Sequence, residues 1–310
     1  MSRIHEALKK AEQDRSASRV DRNLEEPSAL IDLRQPVQVA TNGNVVLAPT
    51  VSAVSKTHAD PQILQLEELR AKCVKTTWNL DSNFLVFSKA KDIPAGAEQF
   101  RTLRSRLYRI RETKPLNTLL ISSSTPGEGK TFVSANLAQA LVRQHGCRVL
   151  LIDADLRAPR LHQILGVPPG PGLAEYLQGG RSEFEVMQKG QEDELYFIQA
   201  GLHVTHPAEL ISNGGLKQLL ARVSGLFDWI ILDSPPVLPV SDAVVLGTLC
   251  DGVIFVVRAG ATPAAVSQKA CQQLQDANIV GVVLNSADDA VGSGSYYQYS
   301  GYGYGQSSSR

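Results

Sequence analysis

Residues Ser124-Thr125-Pro126-Gly127-Glu128-Gly129-Lys130-Thr131 follow directly on the apolar run Thr118-Leu119-Leu120-Ile121. A short apolar run before a glycine-bearing loop predicts a buried strand that delivers the loop at its carboxyl end. Backbone N–H groups wrap a phosphate only where side chains stay clear, and Gly127 and Gly129 permit that approach. Lys130 is placed to reach terminal phosphates and the Thr131 hydroxyl to ligate magnesium. Val133, Leu137, Ala140 and Leu141 recur at helical spacing, so a helix is expected to begin at the loop and add its N-terminal dipole to the anion site. The one departure from the usual pattern is Ser124, where glycine is the common opening residue; serine is small enough for the loop to close.

Two further apolar runs end in acids. Val149-Leu150-Leu151-Ile152 leads into Asp153-Ala154-Asp155, and Trp229-Ile230-Ile231-Leu232 leads into Asp233, before Ser234-Pro235-Pro236. Continuous apolar runs of this length read as strands buried on both faces. Ligand chemistry in open parallel sheets collects at the carboxyl ends of strands. Asp153, Asp155 and Asp233 beside a phosphate loop therefore form a candidate magnesium site, with Thr131, Asp153 and Asp233 as ligands. Each of the three could instead be a helix cap or a turn residue. Phosphoryl transfer also needs a group that orients or deprotonates the nucleophile. Asp153 is assigned that role, Asp155 the support of the metal side, and Lys130 the stabilisation of phosphate charge. Thr125, Pro126, Gly127, Glu128, Gly129, Lys130, Thr131 and Phe132 form the nucleotide-binding segment.

Five of the eight tyrosines stand between residues 291 and 310: Tyr296, Tyr297, Tyr299, Tyr302 and Tyr304. The rest of that stretch is mostly Gly, Ser and Gln, too poor in apolar surface to fold, so a flexible tail is expected. A phenol on a flexible tether can enter an active site; the plain alternative is a low-complexity tail.

In this combination the chain resembles the bacterial tyrosine kinases of the capsule and exopolysaccharide type, from about Phe87 to the C-terminus. The resemblance rests on Pro-Gly-Glu-Gly-Lys-Thr (126–131), Leu-Leu-Ile-Asp-Ala-Asp-Leu-Arg-Ala-Pro (150–159), Ile-Leu-Asp-Ser-Pro-Pro (231–236) and the terminal tyrosines. It implies ATP and magnesium as cofactors, with Asp153 and Asp155 in the second Walker-like role and Asp233 in the Walker B role. It also implies autophosphorylation of the tail by a neighbouring subunit. Glu98, Arg101 and Arg104 match the E-x-x-R-x-x-R helix that packs relatives into a ring; a solvated helix face is the alternative. Pro207-Ala208-Glu209-Leu210 fits a family segment in which His206 replaces the more usual Asn. Asn285 stands where relatives of this class often read adenine, or is a turn residue; Arg258 joins it in the nucleotide-binding set. Arg157 and Arg160 either help neutralise phosphate charge or form surface salt bridges. The implied partners are further copies of the chain, a membrane adaptor or activator of a polysaccharide export system, and a cognate tyrosine phosphatase.

Composition narrows the field. With 31 basic and 31 acidic residues the formal charge is zero, and nothing favours broad nucleic-acid affinity. Cys73, Cys147, Cys250 and Cys271 lie far apart without a C-x-x-C pair, which predicts reduced structural thiols. No apolar run reaches the roughly 20 residues that span a bilayer, and no signal peptide is visible. A cytoplasmic chain recruited to the membrane by a partner is expected.

The expected fold is α/β: a P-loop, doubly wound, mostly parallel sheet with helices on both faces. Its expected parts are an amphipathic helix at 1–15, a flexible linker at 16–60 with a brief strand at Val45-Val46-Leu47, a helical extension at 61–83, a kinase domain at 84–290 and the tyrosine tail at 291–310. Within the domain, strands are expected at Phe84 to Phe87, Leu195 to Ile198, Val253 to Val257 and Val280 to Leu284. Helices are expected near 172–178, 208–222, 241–249 and 263–276. Two other functions share these motifs. A P-loop ATPase switch of the partition and septum-positioning class normally has a lysine where Thr125 stands. A non-catalytic, nucleotide-gated scaffold of an export complex would use the tail only for docking.

Overall fold

The computed structural model describes residues 64–87, 95–190, 194–202, 204 and 206–287. The expected 1–15 helix, the 16–60 linker with its strand at Val45-Val46-Leu47, and the tail with Tyr296, Tyr297, Tyr299, Tyr302 and Tyr304 lie outside the described residues.

The centre of the molecule is three strands, β2 (Thr118–Ser123), β3 (Val149–Asp153) and β6 (Trp229–Asp233), in which every residue is buried. They belong to one eight-stranded sheet with β1 (Val74–Lys75), β4 (Met187–Lys189), β5 (Leu195–Ile198), β7 (Gly252–Arg258) and β8 (Ile279–Asn285). The strand order is β1-β4-β5-β3-β6-β2-β7-β8. Every neighbouring pair runs parallel except β4 with β5. Strands flanked by helices on both faces must be apolar throughout. Each fully buried Leu, Ile or Val in them contributes about 1.5–3 kcal/mol against exposure.

The helices form two layers. Helix α1 (Leu66–Lys72) precedes the sheet, α2 (Ala95–Arg111) precedes β2, and α3 (Lys130–Val142) follows the phosphate loop. Residues Val133 to Val142 of α3 are all buried, as expected of a helix covered on every side. Between β3 and β6 lie α4 (Leu161–Ile164), α5 (Leu173–Leu177), α6 (Glu183–Val186), α7 (Pro207–Ser212) and α8 (Gly215–Val223); α9 (Asp242–Leu249) and α10 (Ala264–Gln273) complete the set. One core cluster gathers Leu150, Ile152, Ile230 and Leu232 with α8 and α9; the other gathers Leu119, Ile121, Leu151 and Ile231 with α3. Alternate residues of each strand thus face opposite layers.

Three expectations are corrected. Residues 84–87 do not form a strand. Asp81 seeds a turn instead: its carbonyl accepts from the N–H of Phe84 (3.0 Å) and Leu85 (2.9 Å), and its side chain from that of Asn83 (2.9 Å). The Asn136 side chain of α3 then pairs with Val86 N–H and Phe84 C=O, supplying what a neighbouring strand would have. The single helix expected at 208–222 is broken at Asn213-Gly214. Gly214 takes φ +85°, and Asn213 Oδ1 accepts from Gly215 N–H at 2.8 Å, an Asx turn that ends one helix and starts the next. Among the described residues of the 61–83 extension, helix covers Leu66–Lys72; β1 and a loop follow.

Candidate nucleotide site

The loop after β2 is shaped by its glycines and by its own hydrogen bonds. Gly127 and Gly129 take φ of +85° and +94°, where only glycine is unstrained. A Cβ on Gly127 would meet nothing within 4 Å, whereas one on Gly129 would stand 2.0 Å from Asn285 Nδ2. Glu128 does not face outward. It is 2% exposed, and its carboxylate accepts from Thr125 N–H (2.7 Å) and from the Thr262 hydroxyl. Asn285 Nδ2 donates to Glu128 C=O at 2.9 Å. The loop is therefore stapled across its own mouth and tied to the ends of β7 and β8.

Around it stand the acids. Asp153 and Asp233 occupy paired positions on adjacent parallel strands. Asp233 accepts from the hydroxyls of Ser134 (3.0 Å) and Thr131. Asp153 accepts from the N–H groups of Asp155 (3.2 Å) and Leu161 (3.1 Å). Asp155 Oδ2 lies 3.1 Å from Lys130 Nζ, and its Oδ1 accepts from Ala158 N–H at 3.0 Å. Burial, reinforced by Asp233, pushes the Asp153 carboxyl well above the usual carboxylate range. Burial likewise lifts Asp233 to about 6, against the pull of Lys130 and the two hydroxyls.

These residues fit a nucleotide phosphate and a divalent ion. Open space over Gly127 and a lysine held against a single carboxylate are what an anion would use. Ser124 Oγ, buried and without a hydrogen-bond partner, lies in the same loop. Among the described residues, no three His, Cys, Asp or Glu side chains form a ready-made metal cage. The expected site of three carboxylates, Asp153, Asp155 and Asp233, is therefore not formed as a set; Asp155 is engaged by Lys130 instead.

Lys130, Thr131, Asp153, Asp155 and Asp233 are thus brought together. Arg258 and Asn285 face each other in register at the ends of β7 and β8, beside the loop. Phe132 turns away, into an aromatic group with Phe84 and Phe100. Arg157 makes a two-pronged contact with Asp242 (2.8 and 3.0 Å), whose side chain is fully buried at the start of α9. Arg160 is exposed at the N-cap of α4. Glu98 pairs with Arg101 on α2, and Arg104 donates to Ala140 C=O at 2.7 Å, which holds α2 against α3. Sequence reasoning missed Thr262, Ser134 and Asp242. Only Ser134, a hydroxyl four residues after Lys130, carried a local signal.

Residues 119–298 match the family described as the CobQ/CobB/MinD/ParA nucleotide binding domain. A tyrosine-protein kinase of Bacillus subtilis, YwqD, is 32% identical over 66% of this chain and 86% of its own. The putative tyrosine-protein kinase EpsB of Ralstonia nicotianae is 36% identical over 71% of this chain, which spans only 30% of that relative's length. The solved kinase domain of the Escherichia coli tyrosine kinase ETK superposes with a TM-score of 0.60 at 29% identity, covering 78% of this chain and 98% of that one. With a strand–loop–helix phosphate cradle, paired strand-end aspartates and these relatives, the chain belongs to the bacterial tyrosine-protein kinase family within the CobQ/CobB/MinD/ParA nucleotide-binding fold.

Proposed function

We propose that this chain is an ATP- and magnesium-dependent protein-tyrosine autokinase that phosphorylates Tyr296, Tyr297, Tyr299, Tyr302 and Tyr304 of a neighbouring copy. The observation that carries the reading is Lys130 Nζ held 3.1 Å from Asp155 at the mouth of a glycine cradle, beside the Asp153–Asp233 pair, in a chain that ends in five tyrosines. Thr125 to Thr131, with Arg258 and Asn285, form the nucleotide-binding set. Thr131, Asp153 and Asp233 would hold magnesium, which when bound neutralises charge on the phosphates. Lys130 turns from Asp155 to the transferring phosphoryl group. A bond forms between phenol oxygen and phosphorus as the bond to the departing diphosphate breaks. The phenol proton passes to a carboxylate. We assign that role to Asp153, a carboxylate with one oxygen for the metal side and one for the phenol, in register with Asp233, and assign Asp155 to support of the metal side.

The family's setting extends the proposal to capsule or exopolysaccharide synthesis or export. It includes a ring built through Glu98, Arg101 and Arg104, a membrane adaptor or activator, a cognate tyrosine phosphatase and no nucleic acid. Among the described residues no helix is long and apolar enough to cross a membrane. We propose a cytoplasmic chain recruited to the inner membrane face by its partner.

The test is incubation with terminally labelled ATP and magnesium, with and without an activator segment, followed by peptide mapping. Label on the tail tyrosines that disappears in Lys130→Met is expected. Free phosphate without labelled tyrosine would instead identify an ATPase switch. Neither product, even with activator, would identify a scaffold.

A further inference from the structure

Helix α2 turns one face outward, where Glu98, Arg101, Thr102, Ser105, Arg106 and Arg109 line a shallow cleft of about 370 Å³. Arg101 is engaged by Glu98, and the Ser105 hydroxyl donates to the Arg101 carbonyl at 3.0 Å. Arg106 and Arg109 are exposed and, among the described residues, have neither a hydrogen bond nor an ion pair. That sets them apart. Arg70, Arg148, Arg157, Arg181 and Arg222 are ion-paired; Arg104 and Arg143 hold carbonyls, and Arg111 lies over the Trp229 ring. The other two described arginines without such a contact are Arg160, at the N-cap of α4, and Arg258, at the end of β7. Guanidinium groups left unpaired on a folded surface mark a place for an anionic ligand.

We propose that Arg106 and Arg109 form a docking site for phosphotyrosine in the 291–310 tail of a second copy. The phosphates come from the autokinase reading, on which the proposal rests. Segment 291–310 contains no Asp or Glu, so before modification its side chains offer these arginines no anion. Each phosphotyrosine adds about −1.5 to −2 charge and three acceptor oxygens. The pairs Tyr297/Tyr299 and Tyr302/Tyr304 are two residues apart, roughly 7 Å in extended chain. Side chains three apart on a helix start roughly 5–6 Å from each other. Two phosphates on one edge of the tail therefore match two guanidinium forks on one face of α2. Thr102 and Ser105 line the same cleft. The face also carries Glu98 and Arg101, so a bound phosphate lies beside the residues proposed to join subunits. Tail phosphorylation would then compete with assembly by occupying that surface, in addition to any charge repulsion.

The test uses phosphatase-treated full chain without ATP, and synthetic 291–310 peptides. One carries phosphate on Tyr302 and Tyr304 and one carries none; binding is read by fluorescence anisotropy. Because the phosphates are supplied chemically, failure of the kinase assay leaves this test intact. The phosphopeptide is expected to bind and the plain peptide not. Binding should weaken with salt and fall about tenfold for each of Arg106→Ala and Arg109→Ala. Both sites are exposed helix positions where alanine is well tolerated, and circular dichroism checks the fold. Equal binding of the two peptides, no binding of either, or unchanged affinity in the double variant would overturn the proposal. Capture of phosphatidylserine vesicles through the same arginines, without competition from phosphopeptide, would overturn it in favour of a membrane surface.

Discussion

Asp153 and Asp233 stand directly across from each other on neighbouring parallel strands, both buried, and both hold a proton more tightly than a free aspartate. Two like charges brought side by side away from water oppose each other's ionisation. The arrangement stores repulsion that a divalent ion would relieve.

This gives a pH dependence with a definite sign. Asp233 rises from 3.8 to about 6 on folding, so between those values the folded chain binds more protons than the unfolded one. Its contribution to stability is largest below pH 4, falls as pH rises to 6, and is constant above. The cost is about 3 kcal/mol at neutral pH, from about 1.4 kcal/mol per unit. In EDTA, melting temperature should decline across pH 4–6 less steeply in Asp233→Asn than in the parent. Magnesium should flatten the parent's decline. Parallel curves for parent and variant would contradict this.

Lys130→Met should remove catalysis and also destabilise the nucleotide-free protein. It leaves Asp155, only 4% exposed, with one backbone N–H as partner. Removing one member of a buried pair costs about 3–5 kcal/mol; the partial exposure of Lys130 lowers the expectation to about 2–3 kcal/mol. Urea titration of Lys130→Met against Lys130→Met/Asp155→Asn checks it, because the second change should restore most of the loss.

Gly127→Ala and Gly129→Ala should separate. Both place a side chain at positive φ, at a cost of about 1–2 kcal/mol. Only the second drives a methyl group into Asn285, which must then release Glu128 C=O. Nucleotide affinity measured by calorimetry should drop further in Gly129→Ala, and Gly129→Ala/Asn285→Ala should recover part of it.

Thr262→Ala removes one of the two donors to the Glu128 carboxylate without touching the cradle. A loosened loop should raise KM for the nucleotide several-fold while kcat changes little. An equal fall in kcat would mean that Thr262 acts on the transfer step itself.

Much of this site was legible because its parts are contiguous. Strand, loop and helix run together from Thr118 to Val142, and each strand-end acid follows its own apolar run. What escaped is held by contacts distant in sequence. Thr262 meets Glu128 across 134 positions and Asp242 meets Arg157 across 85, and no local pattern announces either. The strand misread at 84–87 had the right residues, Phe-Leu-Val-Phe, but Asn136 claimed its backbone groups first. The break at Asn213-Gly214 could have been read, since Asn-Gly is a strong turn signal; the apolar period on both sides obscured it. Strands β1 and β4 are two and three residues long, too short for any period to show.

Strand β1 carries a mechanical consequence. Val74 and Lys75 come from upstream of the phosphate loop, yet they form the margin of the sheet most distant from β8. Chain arriving from the amino-terminal side pairs with the sheet through those two residues, with Leu64, Leu69 and Cys73 buried against the core beside them. A pull through that segment would load this short margin and its buried anchors before it reached the central strands that carry Asp153 and Asp233.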